Sequence, residues 1–134
     1  MSLTTTDPIS DMLTRIRNVI LVHKSTTNVP YSKIKEDILK IFKDNRLIDN
    51  YQVIDNGVTN KQILIEINVD SQPTRINELK RVSKPGRRIY VNSKDIPTVK
   101  QGRGFLIIST SKGIMTSFEA KKKNIGGEIL CQIY

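Results

Sequence analysis

Hydrophobic positions in the first third of the chain recur at helical spacing. Asp7-Pro8 combines an N-cap acceptor with a proline suited to the first helical turn. The apolar side chains that follow fall on one helical face: Ile9, Met12, Leu13, Ile16 and Ile20. A short strand is predicted over residues 26–29. Ser32 can then cap a second amphipathic helix that runs to about Lys43.

From Leu47 the hydrophobic period changes to two, which is typical of half-buried strands. Residues 51–55 and 62–69 are predicted to pair as a hairpin through a turn at Asn56-Gly57. The element order of this N-terminal part is therefore α-β-α-β-β. Such an order predicts two helices packed on a small sheet.

The predicted boundary between two parts of the chain lies at residues 70–74. It separates an N-terminal part, 1–70, from a C-terminal part, 71–134. Strand patterns dominate the C-terminal part, at 75–82, 88–92, 105–110 and 128–134. One short helix is predicted there by the capping box Thr116-x-x-Glu119. The sequence thus predicts an α+β fold whose C-terminal part is mainly antiparallel β.

Charge is distributed unevenly along this chain of net charge +9. Residues 1–67 carry nine Lys and Arg against eight Asp and Glu, whereas residues 68–134 carry thirteen against five. A nearly neutral half joined to a strongly basic half predicts that an extended anionic partner meets the C-terminal half. One alternative is a basic surface that serves only solubility, and another is a basic protein that binds without specificity.

A block of hydroxyls, Ser109-Thr110-Ser111, follows the apolar run 105–108, and Lys112 and Gly113 complete it. Hydroxyls at a strand end are poorly suited to a hydrophobic core, because burying one without a hydrogen-bond partner costs about 1–3 kcal/mol. They suit hydrogen bonding to sugars, phosphates and base edges, beside which Lys112 adds a cation. The wide, shallow minor groove of an RNA helix admits such short side chains. With only seven aromatics and no tryptophan, the chain fits structured RNA better than single strands.

An acyl- or phosphoryl-transfer enzyme is the alternative from another class, because Ser109-x-x-Lys112 matches the serine-lysine pattern of acylating enzymes. That pattern needs its serine at the start of a helix, whereas the preceding run predicts a strand. The single histidine, His23, follows a helix in the other half and offers no convincing base. With one histidine and one cysteine, neither a zinc site nor any cofactor is expected.

The cellular setting is constrained by cysteine use and by hydropathy. Cys131 lies in an apolar strand pattern and is expected to be a buried structural thiol. No stretch approaches the ~20 apolar residues needed to span a bilayer. The polar N-terminus does not resemble a secretory signal, so no membrane partner and a cytoplasmic location are expected.

Four segments together resemble the ribosomal protein S8 family of the bacterial small ribosomal subunit. They are TDPISDMLTRIRN at 6–18, SKPGRRIY at 83–90, ISTSKGIMT at 108–116 and EAKKKNIGGEILC at 119–131. The match runs essentially the whole length in the family's order. Two departures leave the hydroxyl block untouched: Tyr134 stands where tryptophan is usual, and the N-terminal half is poor in alanine.

The resemblance implies a non-enzymatic protein that binds the central domain of small-subunit ribosomal RNA and helps it fold during assembly. It implies that Ser109, Thr110 and Ser111 enter an RNA minor groove, with Lys112 and Gly113 completing the loop. Tyr90 and Glu128 would lie close to the same contact. The side chains implied to touch phosphates are Lys84, Arg87, Arg88, Lys121, Lys122 and Lys123.

A second, weaker RNA contact implied by the family involves the start of the first helix. The residues at those positions here are Thr6, Asp7, Arg15 and Arg17. The resemblance further implies neighbouring small-subunit proteins as partners. Binding to the chain's own messenger RNA is compatible with the family resemblance, but no residue of the sequence indicates it.

Overall fold

The computed structural model describes residues 7–22, 24–55, 61–67, 76 and 78–134. The described parts of Met12–Ile76 form one compact unit, called here the first unit. Those of Met1–Asp11 and Asn77–Tyr134 form the second unit. Residues 7–11 therefore group with the C-terminal residues, which the sequence did not indicate. The boundary at 70–74 and the turn at Asn56-Gly57 fall outside the described residues and stay predictions.

The described residues contain three α-helices and two antiparallel sheets, which confirms the predicted α+β class. The helices are α1 (Pro8–Leu21), α2 (Lys33–Asp44) and α3 (Ser117–Lys123). The strands are β1 (Thr26–Pro30), β2 (Asn50–Ile54), β3 (Gln62–Glu66), β4 (Leu79–Arg81), β5 (Tyr90–Val91), β6 (Phe105–Thr110), β7 (Gly113–Thr116) and β8 (Gly127–Ile133). Two short 3-10 turns lie at Ser93–Asp95 and Lys100–Gly102.

The first unit contains a three-stranded sheet in the order β1-β3-β2. Ser32 caps α2 as predicted, since its Oγ accepts the backbone N–H of Lys35 at 3.3 Å. Alternation along β3 buries Ile63 and Ile65, in agreement with the period of two. On α1 the buried face includes Val19 instead of the predicted Ile20, which is only half-buried.

The second unit is built on the strand order β4-β8-β6-β7, and β5 also pairs with β8. One hydrophobic cluster of its core contains Ile96, Val99, Leu106, Ile108, Met115, Ala120 and Ile129. The half-buried Tyr134 packs against that core. Thr116 caps α3 as predicted, because its Oγ1 accepts the N–H of Glu119 at 3.2 Å. The sequence did not indicate β7.

Cys131 is buried in β8, and burial raises the pKa of its thiol from 9.0 to about 12. Because the native thiol keeps its proton to higher pH than the unfolded thiol, the free energy of unfolding should fall as pH rises above 9. We expect the native protein to resist dithionitrobenzoate at pH 8 and the guanidinium-unfolded chain to react at once. Absorbance of the released thionitrobenzoate measures both rates. Rapid labelling of the native chain would contradict this burial.

Candidate nucleic-acid interface

The hydroxyl block forms the hairpin turn between β6 and β7. Thr110 pairs with Gly113, which leaves Ser111 and Lys112 as the two turn residues. Neither turn residue has a positive φ, whereas Gly113 has φ 112°, a conformation that favours glycine. Ser111 and Lys112 are both exposed. The turn therefore exposes a hydroxyl and an ammonium side by side.

Thr110 differs from its two neighbours because its hydroxyl is already engaged. Its Oγ1 donates to the Gly113 carbonyl at 2.8 Å and accepts the backbone N–H of Lys112 at 3.1 Å. These two bonds close the turn. A hydroxyl carries one proton, so Thr110 has only acceptor capacity left for any further hydrogen bond. Its main contribution is to the shape of the hairpin.

Ser109, Glu128 and Tyr90 lie in one row across three strands. Ser109 on β6 pairs with Glu128 on β8, and Glu128 pairs with Tyr90 on β5. Residues directly opposite each other in an antiparallel sheet point to the same face. Tyr90 is 69% exposed, whereas Ser109 and Glu128 are half-buried. The register thus brings together three of the predicted site residues, called here the Tyr90–Glu128–Ser109 row.

Arg88 supplies a cation at the edge of this row. Its Nη1 lies 3.2 Å from Oε2 of Glu128, and the two side chains are 50% and 14% exposed, respectively. An ion pair with one partner so exposed contributes little to stability. The pair fixes the direction of the carboxylate and keeps a guanidinium beside the row.

Two glycines allow β8 to begin between β5 and β6. A Cβ added at Gly127 would overlap the backbone carbonyl of Ser109, and one at Gly126 would overlap the carbonyl of Val91. A glycine at such a position permits close approach of another backbone. The sequence indicated only that these glycines precede the last strand, whereas the structure requires them for the row itself.

The turn at residues 84–87 presents basic side chains of the second unit. The backbone N–H of Lys84 donates to the Arg87 carbonyl, and the N–H of Arg87 donates to the Lys84 carbonyl, each at 2.9 Å. Lys84, Arg87 and Arg88 are all exposed. The predicted phosphate contacts of this turn therefore face solvent.

Ser83 anchors the same turn and was not singled out from the sequence. It is fully buried, and its Oγ accepts the N–H of Ile89 at 2.8 Å. The hydroxyl also donates to the Ile89 carbonyl at 3.3 Å. A serine directly before a turn was the only signal, because a buried hydroxyl and an exposed one look alike in a sequence.

Lys121, Lys122 and Lys123 form the last turn of α3, and all three are exposed. Cations at a helix C-terminus interact favourably with the carbonyl end of the helix. Lys121 Nζ lies 3.4 Å from Oγ1 of Thr98. Asn124 ends the helix with φ 59°. The three lysines thus form an exposed cationic cluster on the second unit.

Asp7 has partners within its own unit. Its carboxylate accepts the N–H of Ser10 at 3.2 Å, which confirms the predicted N-cap, and lies 3.0 Å from Nε of Arg81. Thr6, predicted beside it as an RNA contact, lies outside the described residues. Besides the predicted N-cap, the carboxylate of Asp7 thus forms an ion pair with Arg81 that the sequence did not indicate.

Arg15 and Arg17 belong to the first unit and are exposed on α1. Arg15 Nη1 donates to the backbone carbonyl of Asn28 at 2.6 Å. Arg17 Nη2 donates to Oγ1 of Thr14 at 3.0 Å. Local hydrogen bonds therefore orient both guanidinium groups.

The described residues offer no evidence for the other chemistries considered. No group of three or more His, Cys, Asp and Glu side chains among them could hold a metal ion. Ser109 lies inside a strand and pairs with Glu128, so it lacks the helix start that the serine-lysine pattern requires. Within the described ranges, no helix has the length and apolar character needed to cross a membrane.

The fold and the candidate site together define a basic α+β protein whose second unit carries a row of polar side chains beside exposed cations. The family model for ribosomal protein S8 matches residues 7–134, and the chain belongs to that family. This family consists of structural ribosomal proteins, which confirms both the resemblance and the prediction of a non-enzymatic protein.

Several relatives carry the name small ribosomal subunit protein uS8. The one from Petrotoga mobilis is 44% identical over 134 residues, covering 96% of this chain and 98% of its own length. That from Thermus thermophilus is 43% identical over 136 residues, with 96% and 99% covered. That from Dictyoglomus thermophilum is 46% identical over 132 residues, with 98% and 100% covered.

Proposed function

We propose that this chain is a structural constituent of the small ribosomal subunit and binds the central domain of small-subunit ribosomal RNA, promoting its folding during assembly. Relatives at 43–46% identity that are named as small-subunit proteins support the ribosomal assignment. The Tyr90–Glu128–Ser109 row beside the exposed Ser111-Lys112 turn is the observation that supports the RNA contact.

Specificity in this proposal comes from the row and the turn. Ser109 and Ser111 hydrogen bond to 2′-hydroxyls and base edges in a minor groove, where their short side chains allow close approach. Glu128 accepts from a base amino group, because a carboxylate is an acceptor that pairs with exocyclic amines. Tyr90 packs its exposed ring against a sugar or a base.

Affinity in this proposal comes from exposed cations of the second unit. Phosphate contacts position the protein and release counterions without carrying sequence information. The side chains assigned to this role are Lys84, Arg87, Arg88, Lys112, Lys121, Lys122 and Lys123.

The remaining partners belong to the same proposal. A weaker RNA contact at α1 is supported by the exposed Arg15 and Arg17, whereas the carboxylate of Asp7 already has protein partners. Neighbouring small-subunit proteins and a cytoplasmic ribosomal location follow from the assignment to the subunit. Binding to the chain's own messenger RNA is a further proposal, for which an RNA helix resembling the ribosomal site would be required.

Replacing Ser111 with alanine should weaken binding to a central-domain rRNA fragment about two- to tenfold, because one neutral hydrogen bond contributes ~0.5–1.5 kcal/mol. Binding to an unrelated duplex of the same length should not change. Filter binding at fixed salt measures both affinities, with Ser25→Ala in the first unit as the exposed-serine control. If wild type does not prefer the rRNA fragment, or Ser111→Ala equals wild type, the proposed contact is wrong.

A further inference from the structure

Strand β8 contains a bulge at Leu130. On one side of it Cys131 pairs with Ile107 of β6, and on the other side Ile129 pairs with Ile108. Leu130 is therefore one extra residue on β8. A bulge of this kind shifts every later pairing by one position and increases the local twist.

This bulge decides which side chain of β8 stands opposite Ser109. If the pairing on the apolar side of the bulge continued without interruption, Ser109 would face Ile129. With the extra residue Ser109 faces Glu128, which in turn faces Tyr90. A slip of one residue moves each side chain to the opposite face of a sheet. The carboxylate therefore reaches the row because the bulge is maintained.

Arg81 holds the bulge through the backbone carbonyl of Leu130. Arg81 Nη1 donates to the Leu130 carbonyl at 2.6 Å, and the backbone N–H of Val82 donates to the same oxygen at 3.0 Å. Both lone pairs of this oxygen are thus used on the side of β4. Asp7 completes the arrangement, because its Oδ2 lies 3.0 Å from Arg81 Nε.

Arg81 and Asp7, called here the clamp, are both largely withdrawn from solvent. The Arg81 side chain is 8% exposed and that of Asp7 is 16% exposed. Removing one partner of such a pair leaves the other charge uncompensated, which distinguishes it from a surface ion pair. Although Arg81 lies in the most basic part of the chain, its guanidinium is committed to protein acceptors.

We infer that Arg81 and Asp7 are positioning residues for RNA recognition: they clamp the bulge at Leu130 and so place Glu128 opposite Ser109 and Tyr90. The inference rests on the proposed function of the Tyr90–Glu128–Ser109 row. According to this inference, the ability of the protein to discriminate between RNA sequences depends on the clamp. The exposed cations, in contrast, supply the affinity that does not depend on RNA sequence.

A double-mutant cycle in the full-length chain tests the inference. Glu128→Gln should reduce the preference for a central-domain rRNA fragment over an unrelated duplex about tenfold, through loss of a charged acceptor. Arg81→Met should reduce the preference by a similar factor. Adding Glu128→Gln to Arg81→Met should change little more, because the carboxylate is already displaced. The salt dependence of affinity should stay at the wild-type value for Arg81→Met, since Arg81 contacts no phosphate.

Lys35→Met is the matched control for loss of a buried cation. Lys35 is 4% exposed, and its Nζ donates to the Pro30 carbonyl at 2.7 Å in the first unit. This variant should lower the melting temperature without changing the preference between RNAs, and it should be additive with Glu128→Gln. The comparison separates general destabilisation from misplacement of the row.

Two outcomes overturn the inference: wild-type preference in a folded Arg81→Met protein, or additive effects in the cycle. If Arg81→Met does not fold, Arg81→Lys replaces it. One ammonium cannot reproduce the fork that bridges Asp7 and Leu130, so reduced preference is expected and full preference overturns the inference. If wild type itself fails to prefer the rRNA fragment, it is the proposed function that fails.

Discussion

Replacing Gly127 with alanine is expected to destabilise the second unit by about 3 kcal/mol and to abolish preferential RNA binding. The added Cβ would overlap the backbone carbonyl of Ser109, and a backbone atom cannot move aside by changing rotamer. Strands β6 and β8 would have to separate at the pair that holds the row. Thermal unfolding followed by circular dichroism should show a midpoint roughly 10 °C lower.

Gly86→Ala is the matched control for this substitution. No atom lies within 4 Å of a Cβ added at Gly86, and its φ is not positive. We expect its free energy of unfolding to stay within about 0.5 kcal/mol of wild type. A Gly127→Ala protein that unfolds at the wild-type temperature would show that β6 and β8 tolerate a wider separation than the structure indicates.

Helix starts could be predicted from the sequence because they depend on local chemistry. Ser32 and Thr116 each accept an N–H three residues later, and that geometry is set by the spacing alone. Strand β6 could be predicted for a related reason, since an unbroken apolar run at 105–108 ends in hydroxyls. Elements defined by a few consecutive residues were therefore found with nearly correct bounds.

Strand β7 could not be predicted because its four residues carry too little pattern. Gly113 opens the strand, Thr116 caps the following helix, and only two apolar positions remain between them. Its pairing with β6 depends on the turn that Thr110 closes. Nothing in the sequence distinguishes the hydroxyl of Thr110, which bonds within the hairpin, from that of Ser111.

The pairing of Glu128 with Ser109 also could not be predicted from local sequence patterns. The family resemblance placed both residues at one contact, but the physical reason is a bulge at Leu130. A bulge leaves no compositional mark in an apolar strand. Its clamp joins residues 74 positions apart, Asp7 and Arg81, and such pairings depend on the folded chain.

Changing Lys121, Lys122 and Lys123 together to glutamine is expected to lower RNA affinity by about two orders of magnitude near physiological salt. All three ammonium groups are exposed at the end of α3. Each phosphate contact releases about 0.7–0.9 counterion, so the slope of log affinity against log salt should become shallower by roughly two to three. The ratio of affinities for the rRNA fragment and an unrelated duplex should stay near wild type, because phosphates carry no sequence information.

Lys33, Lys40 and Lys43 on α2 provide a control with the same change in net charge. They are exposed in the first unit, and Lys33 pairs with Asp37 at 3.2 Å. Their replacement by glutamine should alter the salt slope by less than one, since only long-range attraction is lost. Circular dichroism should show both triple variants folded. Equal slopes in the two variants would mean that net charge, and not the end of α3, attracts the RNA. A loss of discrimination confined to the α3 variant would instead mean that these lysines read RNA shape, because phosphate neutralisation alone weakens all RNA partners alike.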